Sequence, residues 1–137
     1  MLKLKVTFDE IRIPLSYGAP KFGIFHVIVN GRPKVMEIFD GLQETEKKRI
    51  KRLIGFMATQ PDFKSDDLRW QLKNYQYGEL KPRHHRFFFF ISYRNNIVFF
   101  DYLEKKKGSV SDEHYESINK KRIFYEQEFR RYIEKNS

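Results

Sequence analysis

Two runs of apolar residues, Phe87–Ile91 and Ile97–Phe100, most constrain what this chain can fold into. Phe, Ile and Val favour the pleated sheet, and runs this short have the length of strands. Successive side chains of a strand point to opposite faces, so each run places apolar groups on both faces of the sheet. The pattern predicts two interior strands covered on both sides. Asn95 and Asn96 between them predict a hairpin turn, because Asn tolerates the left-handed backbone that such turns need.

A cluster of cationic and imidazole side chains stands at the entrance of this hairpin. Its members are Lys81, Arg83, His84, His85 and Arg86. Histidine exchanges protons near neutral pH, and arginine holds phosphate through paired N–H donors. We therefore predict the functional site here, where the sheet fixes the position of these groups.

The chain carries an excess of positive charge, with 27 Lys and Arg against 18 Asp and Glu, a net charge of +9. A small basic domain commonly binds a polyanion, and nucleic acid is the first candidate. The absence of cysteine excludes disulfides and thiolate metal sites. No apolar run approaches the ~20 residues of a membrane span, and the N-terminus lacks the apolar core of a signal peptide. We therefore expect a cytoplasmic protein without membrane contact.

The first half of the chain has the spacing of two strands followed by two helices. Leu2–Phe8 alternates apolar and polar residues, and Phe22–Val29 has the composition of a second strand that could pair with the first. Pro33 suits the first turn of a helix, and a second helix is predicted from a cap at Thr45 to about Thr59. We expect these helices to pack on the sheet as a helical hairpin.

The second half of the chain completes a single α+β domain over residues 1–137. Tyr77–Lys81 is predicted as a strand that leads into the aromatic hairpin. Ser111 is expected to cap a last helix that runs to about Glu134, since Ser is a favoured N-cap residue. The predicted order of elements is β-β-α-α-β-β-β-α.

Three short motifs follow one another in a fixed order: YGELK at 77–81, RFFFFI at 86–91 and IVFFDYLEKKK at 97–107. With the terminal helix carrying Arg122, they resemble the RelE/HigB toxins of bacterial type II toxin–antitoxin pairs, particularly the phage-derived HigB-like branch. The resemblance spans roughly residues 30 to 125. It implies a RelE-like α+β fold: a small, mostly antiparallel sheet with an N-terminal helical hairpin and a C-terminal helix. Residues 30–134 would form the family-like core, and residues 1–29 an extra strand region.

The resemblance also implies an activity, which is ribosome-dependent cleavage of mRNA without metal or cofactor, held in check by a cognate antitoxin. Arg86 matches the family's Arg before the aromatic strand, which commonly contacts the scissile phosphate. Lys105 and Lys106 match the basic pair after the last strand. The chain departs from the family pattern at Lys81, where Arg is usual, and at Asn119, where a small residue is usual.

Cleaving RNA without a metal requires a base for the 2′-hydroxyl, an acid for the leaving oxygen and cations near the phosphate. The candidate catalytic residues are Arg86, His85, Lys81 and Arg83. His84 and His85 would point to opposite faces if the strand has already begun, so one of them is expected to serve, and His85 is preferred because it adjoins Arg86. The candidates for binding RNA combine cations with rings that can stack on bases. They are His84, Lys105, Lys106, Tyr77, Tyr102, Arg122 and Tyr125.

Other interpretations of the same residues stay open. His84 and His85 can be two histidines at the rim of a loop, and Arg86 can form a structural ion pair. His26 and His114 lie far from them in sequence, so no histidine metal site is expected. As a whole, the chain can also be a non-catalytic nucleic-acid-binding protein of phage or mobile-element origin, or a ParE-like toxin that inhibits DNA gyrase.

Overall fold

The computed structural model describes residues 4–60, 66–92, 95–105 and 110–136. Within these ranges, six strands form one sheet. They are β1 (Val6–Glu10), β2 (Gly23–Val29), β3 (Leu68–Arg69), β4 (Gly78–Leu80), β5 (His85–Ser92) and β6 (Asn96–Glu104). Their order across the sheet is β1-β2-β6-β5-β4-β3. Neighbouring strands are antiparallel except β2 and β6, which are parallel, so the sheet is mixed.

Three α-helices lie in the described residues: α1 (Lys34–Asp40), α2 (Glu44–Thr59) and α3 (Asp112–Lys135). The prediction that Ser111 caps the last helix is confirmed, because its side-chain oxygen accepts a hydrogen bond from the backbone N–H of His114 at 3.2 Å. Within the described ranges, no helix has both the length and the apolar character required to cross a membrane.

The expected N-terminal helical hairpin is wrong, because the described chain begins with strands and its first helix starts only at Lys34. The two strands predicted before the helices do occur, and they pair antiparallel, with Val6 opposite Val29. The physical reason for their place in the fold is that β2 enters the sheet beside β6. The N-terminal strands are thereby part of the main sheet. Residues 2 and 3 of the predicted first strand lie outside the described residues.

Helices cover both faces of the central strands, as the aromatic runs predict. On one side, called here the α3 face, Phe88 and Phe90 are fully buried against a cluster that includes Phe129 of α3. On the other side, the α2 face, Phe87 and Phe89 pack in a cluster with Ile50 and other residues of α1 and α2. Apolar side chains on both faces of a strand are stabilised only if both faces are covered, and this requires helices on each side.

A β-bulge interrupts the pairing of β5 with β6. Phe88 lies opposite Asp101 and Phe89 opposite Phe99, so Phe100 has no partner residue on β5. An extra residue in one strand shifts the alternation of every side chain beyond it. Phe100 therefore packs on the α3 face, while Tyr102 points to the α2 face. There the centre of its ring lies 4.9 Å from the centre of the Phe87 ring.

Asp101, next to the bulge, joins β6 to two helices. Its carboxylate is 8% exposed and accepts hydrogen bonds from Lys34 of α1 at 3.0 Å and from Lys121 of α3 at 3.1 Å. Burial by itself raises the pKa of this carboxyl, but the two lysines and the N–H of Tyr102 outweigh it and lower the pKa. Asp101 is therefore a buried charge with three stabilising partners.

Candidate active site

The first residue of β5, His85, is at the centre of a hydrogen-bonded group on the α2 face. Its Nδ1 lies 2.6 Å from the hydroxyl oxygen of Tyr102, and its Nε2 lies 2.6 Å from Oε2 of Glu46. His85 is 5% exposed, so its imidazole is held between the carboxylate and the phenol with little access to water. A buried imidazole with both nitrogens engaged has a fixed orientation.

The fold brings these three side chains together from three separate elements. Glu46 lies in the first turn of α2, where a carboxylate interacts favourably with the positive end of the helix dipole. Tyr102 reaches the same face as His85 because of the bulge at Phe100. Alternation without the bulge would direct Tyr102 toward α3 and away from His85.

The charges of the group follow from its hydrogen bonds. The hydrogen bond from His85 lowers the pKa of Glu46, and the positive charge of Arg83 lowers it further. Burial raises the pKa of the Tyr102 phenol, and the nearby carboxylates of Glu104 and Glu46 add to the effect. At neutral pH Glu46 is thus an acceptor and Tyr102 a donor. With Tyr102 as donor and Glu46 as acceptor, a His85 imidazole that carries its proton on Nε2 accepts from Tyr102 at Nδ1 and donates to Glu46.

His84 belongs to the same group. Its ring centre is 4.2 Å from that of His85, its side chain is about half exposed, and its Nε2 is 3.8 Å from Glu104. His84 and His85 were expected to point to opposite faces only if both lay in the strand. Because β5 begins at His85, His84 precedes the strand. Arg83 just before them has a left-handed backbone with a φ of 58°, which ends the extended conformation.

The predicted cations lie around this group to different extents. Arg83 is exposed, and its charge acts on Glu46. The backbone N–H of Lys105 donates to the carbonyl of His84 at 2.8 Å, which places the backbone of Lys105 next to that of His84. Lys81 follows β4 and is partly exposed. Lys106 lies outside the described residues.

Arg86, the predicted phosphate contact, is largely buried by the fold. It is 9% exposed, and its Nη1 donates to the carbonyl oxygens of Arg83 at 2.7 Å and His85 at 2.9 Å. Its Nε is 3.9 Å from the buried carboxylate of Glu79, which also accepts a hydrogen bond from Arg69 at 3.1 Å. With these contacts Arg86 stabilises the turn that carries Arg83, His84 and His85.

Three other predicted RNA-binding residues lie on the α3 face. Tyr77 is fully buried, and its hydroxyl donates to the carbonyl of Tyr115 at 2.9 Å; its burial raises its pKa. Tyr125 packs against the α3-face cluster. Arg122 donates to Asn119 at 2.8 Å and to Glu126 at 2.7 Å. The structure therefore groups His84, His85 and Tyr102, and separates them from Tyr77, Arg122 and Tyr125.

Sequence reasoning missed Glu46 and Glu104. Glu46 is 39 residues from His85 in the chain, and no local pattern relates the two. Its one sequence signal is an acidic residue in the first turn of a predicted helix, which is common at helix N-termini for reasons unrelated to function. Glu104 lies opposite His85 on β6, a pairing that is set by the bulge.

Comparison of the chain with protein-family models, with curated proteins and with solved structures found no match. The function of the site is therefore inferred from its geometry and charge.

Proposed function

We propose that this protein is a ribosome-dependent mRNA endoribonuclease of the RelE/HigB toxin type, and that Tyr102, His85 and Glu46 carry its proton transfer. The observation that supports this proposal is the pair of 2.6 Å contacts that hold the His85 imidazole between a phenol and a carboxylate. A base oriented by a third group is the arrangement that activates hydroxyl nucleophiles in proteins. Tyr102 is partly exposed, so substrate contacts the phenol and the buried imidazole acts behind it.

In the proposed reaction the 2′-oxygen of a nucleotide attacks its own phosphorus atom and the bond from phosphorus to the 5′-oxygen breaks. The 2′-hydroxyl gives its proton to the Tyr102 oxygen as Tyr102 gives its own proton to Nδ1 of His85. The charge of Glu46 stabilises the imidazolium that forms. His84, exposed beside them, donates a proton to the leaving 5′-oxygen. The products are a 2′,3′-cyclic phosphate and a 5′-hydroxyl, and placed acid and base groups of this kind typically contribute about 10²–10⁴-fold in rate.

The charge around the site suits a polyanionic substrate. Arg83 is exposed next to the imidazoles, Lys105 adjoins His84, and the whole chain has a net charge of +9. Cations in these positions attract RNA and stabilise the charge that develops on phosphate in the transition state. Translating ribosomes as the target imply action in the cytoplasm, and a cognate antitoxin is the partner that would keep the activity in check.

The burial of Arg86 favours a second candidate, a nucleic-acid-binding protein without catalysis. In this alternative the cations bind RNA, and the hydrogen bonds of His85 serve only to fix α2 on the sheet. Both candidates use the same exposed surface, so they differ in cleavage and not in binding.

Primer extension on a defined mRNA in cell-free translation, with ribosomes present or omitted, tests the proposal. The wild-type protein should produce discrete cuts that require ribosomes. Tyr102→Phe should reduce the cutting rate by about 10²–10⁴-fold. Tyr132→Phe, a matched change on α3, should cut like the wild type. Full activity in Tyr102→Phe would refute the proton transfer through this phenol, and no cuts from folded wild-type protein would favour the binding protein.

A further inference from the structure

The side chains of Glu46, His84 and His85 lie close to one another. Each offers one ligand atom, and these atoms all lie within 4.8 Å of one another. Two imidazoles and a carboxylate form a donor set that zinc sites with an open fourth position use. We propose that this group binds a divalent transition-metal ion of the zinc class, and that the bound ion switches off the proton transfer described above. The binding is independent of the proposed function, and only its inhibitory effect rests on it.

Small movements suffice to form such a site. Zinc binds imidazole nitrogen and carboxylate oxygen at about 2.0–2.2 Å, so ligand atoms of a tetrahedral site lie roughly 3.4 Å apart. The Glu46 oxygen and Nε2 of His85, now 2.6 Å apart, would separate by less than about 1 Å to admit the ion. His84 has its side chain about half exposed, so it can turn toward the ion, and the open side of the site leaves the fourth position to water.

Tyr102 supplies the outer partner that a metal-bound histidine normally has. Metal-ligating histidines donate their second ring N–H to an oxygen, which fixes the tautomer. When Nε2 of His85 binds the ion, its proton moves to Nδ1, and Nδ1–H then donates to the Tyr102 oxygen 2.6 Å away. The direction of this hydrogen bond is the reverse of the one in the metal-free protein. Tyr102 loses its proton acceptor, and this is why binding and proton transfer exclude each other.

The electrostatics of the group select the class of ion. Glu46 supplies a carboxylate oxygen that lies 2.6 Å from Nε2 of His85. Glu104, 3.8 Å from His84, adds negative charge, while Arg83 opposes it. Imidazole ligands favour Zn²⁺, Ni²⁺ and Cu²⁺, whereas Mg²⁺ and Ca²⁺ prefer sites made entirely of oxygen. We expect the site to bind Zn²⁺ and not to bind Mg²⁺.

Isothermal titration calorimetry of the full chain with Zn²⁺ tests the binding. One ion should bind per chain, and Mg²⁺ should give no heat of binding. His84→Ala should weaken Zn²⁺ affinity by more than about 100-fold, because the loss of even an outer partner costs 10–100-fold. His114→Ala removes an exposed histidine at the start of α3 and should bind like the wild type. Wild-type affinity in His84→Ala, or no Zn²⁺ binding by folded wild type, overturns the proposal.

Two further readouts separate the parts of the proposal. Nitrogen NMR of the histidine rings should show the proton of His85 moving from Nε2 to Nδ1 when Zn²⁺ is added, and an unchanged tautomer would overturn the assignment of His85 as a ligand. In the cleavage assay, Zn²⁺ should stop wild-type cutting over the same concentrations that saturate the calorimetric site. Cutting that continues with the site saturated would overturn the inhibitory role. A protein that binds Zn²⁺ but never cuts would contradict the proposed function and leave the metal site established.

Discussion

Replacing Arg86 with Ala separates the two roles that this residue can have. A residue that contacts the scissile phosphate loses activity when truncated, but its loss leaves the fold nearly as stable as before. The structure instead shows Arg86 buried, bonded to the carbonyls of Arg83 and His85 and close to the carboxylate of Glu79. We therefore expect Arg86→Ala to be strongly destabilising.

The expected magnitude follows from the groups that would be left behind. A hydrogen bond that involves a charged group contributes about 1.5–3 kcal/mol, and Arg86 makes two to carbonyl oxygens. Removing one partner of a buried ion pair costs about 3–5 kcal/mol, but Arg69 still neutralises Glu79. Contributions within one network do not add, so we expect a total loss of about 3–5 kcal/mol. A domain of ordinary stability, about 5–15 kcal/mol, would lose a large share of it.

Urea unfolding of each variant measures its free energy of unfolding. The single tryptophan, Trp70, stacks on Phe89 at 5.9 Å between ring centres, so its fluorescence reports the loss of the sheet. Arg131→Ala is the matched control, because Arg131 is exposed on α3; it should change the free energy of unfolding by less than about 0.5 kcal/mol. Arg86→Met should be more stable than Arg86→Ala, since the longer apolar side chain fills the space that Ala leaves empty.

Cleavage measured on the same variants decides the matter. If Arg86→Ala lowers the free energy of unfolding by less than about 1 kcal/mol and yet stops cutting, the stabilising role of Arg86 is refuted. Arg86 is then a phosphate contact, as the resemblance to RelE/HigB toxins implies. If stability falls as expected, the remaining folded fraction should bind RNA with the affinity of the wild type, because the exposed cations are unchanged.

Three further changes test other parts of the structure by urea unfolding. Asp101→Asn should destabilise the protein by about 2–3 kcal/mol at pH 7. Because the folded-state pKa of Asp101 is lowered, the difference from wild type should begin to shrink as the pH falls below the ordinary aspartate pKa of about 3.9 and should disappear as the pH falls through the lowered pKa of the folded protein; a difference that grows as the pH falls would contradict the assignment. Gly55→Ala would place a Cβ 2.8 Å from the Tyr17 ring, so the usual gain of about 0.5–1 kcal/mol for Ala in a helix should become a loss that Tyr17→Ala relieves. Tyr77→Phe should cost about 1–2 kcal/mol through the lost hydrogen bond to Tyr115 and leave cleavage unchanged; reduced cleavage with intact stability would instead support a role of the Tyr77 hydroxyl in the reaction.

The central hairpin and the last helix could be predicted from local sequence. Apolar side chains on both faces of the runs at 87–91 and 97–100 are stable only between two layers, and two layers are observed. Ser111 followed by acidic residues has the chemistry of a helix N-terminus in any fold, and the cap forms as predicted. In both cases the sequence pattern that indicates the structure is contained in residues near one another in the chain.

The antiparallel pairing of β1 with β2 was predicted, but the strand on the other side of β2 could not be predicted in this way. The composition of β2 indicates a strand, but periodicity says nothing of which strand lies beside it. The parallel pairing of β2 with β6 depends on how the intervening helices cross the sheet. Helices α1 and α2 therefore follow two strands of the main sheet and do not begin the fold.

The sequence by itself indicated where the candidate site lies, because only one segment places histidines and cations at the entrance of a buried hairpin. The tertiary structure decided which of these groups lie together. One extra residue at Phe100 turns Tyr102 toward His85, and the packing of α2 delivers Glu46 from 39 residues away. Arg86, one residue from His85, points to the opposite face and is buried there. Hydrogen bonds form between atoms a few ångströms apart in space, and that proximity is set by packing and strand register and not by spacing along the chain.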